Sequence, residues 1–224
     1  MGASSDGGET LAARLLGAVF PLAQALRENR ALRLRRPEMA APTPRFRDTD
    51  VAHWQAALES SPSLGAVIDQ VYEHEAGHCA AVAAKAQRAL ATSAVVISIL
   101  ALTVMLPAIG QMFAVSPWLL VAALYAFAAL FGAVRAVQLA RFLHVELDAL
   151  AEPLEEARNA RGETASGVLL LHVRARRAAA VLHNRIVAQA ASNLADATFA
   201  SLRNAFVAVL LWMALEVAPA TFAY

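Results

Sequence analysis

Between Arg88 and Arg135 the chain carries no Asp, Glu, Lys or Arg, and residues 89–134 are mostly Ala, Val, Leu, Ile and Phe. A membrane span needs about 20 apolar residues. The stretch therefore accommodates two spans, at 93–113 and 117–137, joined by a very short turn at 115–117. Trp118 stands where an interfacial aromatic belongs, and Pro107 and Gly110 fall toward the end of the first span. The rest of the chain agrees with a membrane class, since 58% of residues are hydrophobic and mean hydropathy is +0.49, both high for a soluble domain. A third span is expected over 204–224, with an apolar core at 205–215 that Glu216 interrupts. On a helix Glu216 lies about 18 Å beyond Asn204, in the outer half of a bilayer. It either faces a bundle interior or water path, or reaches the far interface.

Topology follows from the basic residues. Residues 1–92 carry ten, residues 135–203 carry nine, and the hairpin turn and C-terminal tail carry none. The positive-inside rule then places the N-terminus and both long non-spanning segments in the cytoplasm and the C-terminus outside. Arg supplies all the basic residues except Lys85, and with the heavy use of Ala this points to a GC-rich bacterial source and its inner membrane. A net charge of +1 gives no footprint for nucleic acid. Cys79 is the only cysteine, which excludes an intrachain disulfide.

The expected fold class is all-α: a polytopic membrane protein with three transmembrane helices, cytoplasmic amphipathic helices and a helical hairpin. Residues 1–48 hold an amphipathic helix at 9–29, whose apolar run is too short to span, and a linker marked by Pro37, Pro42 and Pro44. Arg27, Arg30, Arg33, Arg35 and Arg36 form a cluster that either meets anionic headgroups or ends a solvated helix. Residues 49–92 are cytoplasmic helices leading into the membrane, with Ile68, Val71, Tyr72, Cys79, Val82, Ala83 and Ala86 on one face. The two-span hairpin occupies 93–137. A cytoplasmic helical hairpin fills 138–203, its acidic part at 146–156 opposite its basic part at 174–185. The third span is 204–224.

One motif carries chemistry. Residues 74–78 read His-Glu-Ala-Gly-His, the HExxH pattern. On a helix His74 and His78 are one turn apart and can share a zinc ion, with Glu75 as general base on a bound water. Glu75 also projects into the apolar stripe, and a buried carboxylate needs a partner. Zinc is one candidate and an arginine from 174–185 is the other. The motif resembles that of membrane gluzincin metallopeptidases. That resemblance implies a glutamate beyond the two-span hairpin as third ligand, here Glu146 in the run at 143–149, with Asp148 or His144 as substitutes.

The segments at 85–99 and 200–209 each merge a polar helix end into a span. This layout, over about 66–215, resembles the SLATT-type small bacterial multi-span membrane effectors. The resemblance implies a protein that oligomerises and perturbs the membrane when a partner signals. The leading expectation is thus a non-enzymatic, oligomeric membrane effector or channel-like subunit, with no cofactor and with a cytoplasmic protein partner. Its polar residues at the membrane are Glu216, Gln111 and Asn204, and its partner or lipid contacts are Arg33, Arg35, Arg36, Arg174, Arg176 and Arg177. The alternatives are a zinc metallopeptidase using His74, His78, Glu146 and Glu75, and an accessory subunit of a larger membrane complex.

Overall fold

The computed structural model describes residues 17–35, 48–105, 116–142 and 163–217, and among them every regular element is helical. The helices are α1 (Pro21–Arg35), α2 (Asp48–Ser60), α3 (Leu64–Met105), α4 (Pro117–Leu139) and α5 (Glu163–Trp212), the last followed by a wider helical turn at Met213–Val217. Three of them, α3, α4 and α5, are long and apolar enough to cross a membrane.

Local chemistry sets the ends. A helical turn at 17–19 stops at Phe20, and α1 starts at Pro21. Proline suits a first helical position because its missing N–H would have no partner there. The Phe20 carbonyl accepts the first bond of α1, from the Gln24 amide at 3.2 Å. The helix expected over 9–29 is therefore broken inside its apolar run; residues 1–16 lie outside the description. α2 ends where Ser60 Oγ and the Ser61 amide both turn back to the Ala57 carbonyl. Pro62 then forces a tight link into α3, closed by bonds from Leu64 to Ser61 and from Gly65 to Pro62.

The chain forms two compact units. The first comprises Met1–Ala31, Lys85–Val137 and Ser192–Tyr224; the second comprises Leu32–Ala84 and Gln138–Ala191. In the second unit, Leu58, Ile68, Ala175 and Ala178 form one cluster under Val51, Trp54 and Leu171. Cys79, Val82, Ala188 and Ala191 form another, covered by Leu139, Ala140 and Phe142. Residue numbers rise together across these contacts, so α3 and α5 run parallel there. The α3 residues turned inward, Gly65, Ile68, Tyr72, Glu75, Cys79 and Val82, alternate steps of three and four. That is the period of a coiled-coil seam.

In the first unit most inward positions are small: Ala86, Ala89 and Ser93 on α3, Ala122, Ala126, Ala129, Gly132 and Ala133 on α4, and Thr198, Ser201, Ala205 and Ala208 on α5, with Leu119 and Leu194 the large exceptions. The large apolar residues face outward, among them Val95, Ile99, Leu102, Leu120, Leu124, Phe127, Phe131, Phe206 and Leu210. Small side chains let helices approach closely where lipid, not water, surrounds them. At Gly132 an added Cβ would lie 2.9 Å from Thr198 Oγ1 and 3.1 Å from Leu22 Cδ1, so any larger residue forces those side chains to shift. α4 and α1 both run antiparallel to α5 in this unit, since Ala129 meets Thr198 and Gly132 meets Leu194, while Ala18 meets Asn204 and Asn29 meets Asn193.

Candidate functional site

The HEAGH segment lies on α3 in the second unit, and the helix divides it between two faces. His74 and His78 are exposed, and Gly77 between them has open space where a Cβ would be. Glu75 points inward, 6% exposed, and its Oε1 has no hydrogen-bond partner. One turn on, Cys79 is 2% exposed; burial first, and the Glu75 charge second, push its thiol up to about 11. Such a thiol stays protonated and inert at neutral pH.

A zinc peptidase needs three protein ligands around its metal, with the general-base glutamate reaching the metal-bound water. Among the described residues no group of three metal donors forms. Glu146, Asp148 and His144 lie outside the description. The residues described fit a catalytic zinc poorly, because the two histidines face open space while Glu75 turns under the neighbouring helix.

Nor does Glu75 acquire an arginine. Arg174 Nε and Arg177 Nη1 both bind Asp69, at 2.9 Å and 2.7 Å, and the Arg177 guanidinium lies 5.3 Å from the Tyr72 ring centre. Burial alone would raise the Asp69 carboxyl. The two hydrogen bonds and charges of Arg177 and Arg174 together outweigh it and hold the group below its ordinary range. Arg176 is half-buried and also engaged. Sequence reasoning missed Asp69 because the acidic run at 146–156, outside the described residues, offered a more numerous partner. Gln55 meets His172 at 2.9 Å beside this pair.

The first unit holds a second polar set. The break at Phe20 leaves two main-chain carbonyls without helical donors, and two side chains supply them. Asn204 Nδ2 donates to the Ala18 carbonyl at 2.8 Å, and Tyr125 Oη donates to the Val19 carbonyl at 2.7 Å. Tyr125 stands about 12 Å along α4 from Pro117 and about 15 Å from Arg135, near the middle of the uncharged part of that helix. Asn204 was expected at the membrane as a polar group; its bond to Ala18 and the role of Tyr125 had no signal in the linear pattern. Beside these clips runs a groove of about 280 Å³ between the start of α1 and α5, lined by Gln24, Glu28, Asn193, Asp196 and Arg203 over a floor of small residues. At its Asp196 end, Lys85 Nζ binds Asp196 at 2.7 Å and Ser192 at 3.2 Å.

Of the other expected site residues, Gln111 and Arg36 lie outside the description, as do the side chains of Arg33, Arg35 and Glu216. The backbone of Glu216 falls in the wider turn that ends the described chain. No protein-family model, curated protein or solved structure matches this chain.

Proposed function

We propose that the protein inserts in the bacterial inner membrane, N-terminus cytoplasmic and C-terminus outside, as a non-enzymatic subunit of an oligomeric effector or channel-like assembly. The composition of the first unit supports insertion. Its apolar bulk faces outward and its small and hydroxyl-bearing residues face inward, which reverses the pattern of a water-soluble bundle. Thr92, Ser93 and Ser98 turn their hydroxyls back to carbonyls four residues earlier, a habit that satisfies polar groups without water.

The observation that carries the assembly reading is a second seam on α3. Leu64, Val67, Val71, His74 and His78 again alternate steps of three and four, one residue out of phase with the buried seam, and all five are exposed. Val67 is 56% exposed and Val71 44%. An apolar stripe at coiled-coil spacing, outside the uncharged stretch, is built to receive another helix. It also gives the two histidines a place in a contact face without metal chemistry.

Oxidative cross-linking of Val67→Cys in membranes tests this. Cys79, buried and protonated, contributes no background. A disulfide-linked dimer supports self-assembly. Monomeric chain that co-purifies with a different protein at fixed stoichiometry supports the accessory-subunit reading instead. Monomer with neither rejects the assembly.

The unpartnered Glu75 oxygen favours one second reading, the zinc metallopeptidase. Zinc measured per chain in purified protein, for wild type and His74→Ala, decides it. One zinc per chain that is lost in the variant would revive the peptidase. No stoichiometric zinc leaves Glu75 as a buried structural carboxylate.

A further inference from the structure

Arg203 lines the groove between α1 and α5. Its guanidinium cannot shed its proton. It is exposed on α5, next to Asn204, whose bond to Ala18 sets it at the level of the Val19–Tyr125 clip. Arg203 therefore lies about 10 Å beyond Asp196 along the helix, toward the middle of the uncharged part of α4. No ion pair or hydrogen bond reaches it among the described residues. An unpaired arginine at that depth must draw in water or an anion.

The groove that Arg203 lines contains two carboxylates, both toward the opposite end. Asp196 is neutralised by Lys85. Among the described residues Glu28 receives only the neutral Gln24 amide, at 3.0 Å. Glu28 is about 10 Å along α1 from Pro21. Among the described residues the groove thus presents one unpaired cation, Arg203, at one end and one carboxylate without an ion partner, Glu28, at the other, over an apolar floor of Ala18, Pro21, Ala25, Ala197 and Ala200. Phe20, 57% exposed, stands at the same break, and Phe199 projects outward from α5.

We infer that this groove binds a zwitterionic phospholipid headgroup with a primary ammonium: phosphate on Arg203, ammonium toward Glu28. The charge pair selects a dipolar head over an anionic one, which Glu28 repels. A primary ammonium donates hydrogen bonds to a carboxylate, whereas a quaternary one has no N–H to give. The membrane depth and the small-residue floor select a lipid over a soluble zwitterion. This inference rests on the membrane reading above.

The test is native mass spectrometry of the full chain released from nanodiscs containing phosphatidylethanolamine, phosphatidylglycerol and phosphatidylcholine in equal parts. Wild type is expected to retain phosphatidylethanolamine over phosphatidylcholine by about tenfold, the effect of one charge-assisted hydrogen bond. Arg203→Gln loses the enrichment, and Arg203→Lys recovers part of it. Glu28→Gln shifts retention toward phosphatidylglycerol. Ala200→Leu fills the groove without touching either charge and also displaces the lipid, which covers the case in which a charge variant fails to fold. Retained lipid that mirrors the nanodisc composition in wild type, or that is unchanged in all variants, overturns the proposal. Displacement by soluble glycerophosphoethanolamine overturns the lipid source. Alkaline carbonate extraction of the same membranes separates the two levels of failure. Chain released into the supernatant rejects membrane insertion, whereas chain kept in the pellet without lipid preference rejects the groove alone.

Discussion

The two units use the same Ala-rich helices, α3 and α5, and solve opposite problems with them. In the second unit polar side chains pair with one another: Asp69 with Arg174 and Arg177, and Gln55 with His172. In the first, pairs such as Lys85–Asp196 and Asn29–Asn193 stand beside a further set of polar side chains taken up by main-chain carbonyls. Thr198 donates to Leu194 and Ala129, Tyr125 to Val19 and Asn204 to Ala18. Where water is present, an ion pair can be left partly wet and its charges screened. Where it is absent, each backbone carbonyl freed by a helix break must find a donor inside the protein. The carbonyls freed at the Phe20 break thus find their donors inside the protein, as a bilayer would require.

The sharpest way to break the comparison is at Gly132. Gly132→Leu forces its side chain into Thr198 and Leu22 and is expected to cost about 3 kcal/mol, read as earlier unfolding in detergent under increasing SDS. Normal stability would mean that α4 does not pack on α5 as described. Next comes a pair of opposite sign in the second unit. Glu75→Leu removes a buried carboxylate that lacks a full set of partners and should stabilise by about 2 kcal/mol. Asp69→Leu strands two half-buried guanidiniums and should destabilise by about 1–2 kcal/mol, discounted because Arg177 is 34% exposed. If both changes destabilise equally, Glu75 has a partner that makes its environment like that of Asp69.

Smaller effects sharpen the contrast. Tyr125→Phe deletes the donor to the Val19 carbonyl and should cost about 1 kcal/mol, with faster proteolysis of the α1 segment as a second readout. The Asp69 pair contributes stability that is present above the ordinary carboxylate range and lost as pH falls through the lowered value. An acid titration should therefore loosen the second unit first. Cys79 works in the other sense: its raised thiol contributes stability below the unfolded thiol range, which is lost as pH climbs toward about 11. At neutral pH, maleimide labelling of Cys79 should track unfolding; rapid labelling of the native chain would show that α3 and α5 part there.

Much of the fold was legible because its determinants are local. The uncharged run at 89–134 dictates apolar helices, the proline and glycine positions dictate where helices stop, and the inward stripe on α3 follows from helical spacing. The three- and four-residue steps by themselves place Glu75 inside the stripe. Less legible was the start of the chain, where one apolar run at 15–26 reads as a single helix. Pro21 can either kink a helix or begin one, and the choice depends on whether outside donors exist for the carbonyls it frees.

What the sequence determined by itself, then, is the helical class, the three apolar helices and the burial of Glu75, since charge, hydropathy and helical period act over neighbouring residues. The tertiary structure decided which charges are compensated. Asp69 rather than Glu75 takes the arginines, Lys85 takes Asp196, and Arg203 and Glu28 face each other along a groove with no described ion partner. Charge pairing operates between residues more than a hundred positions apart, with a range of a few ångströms. Only the packing of α1, α3 and α5 brings those partners within it.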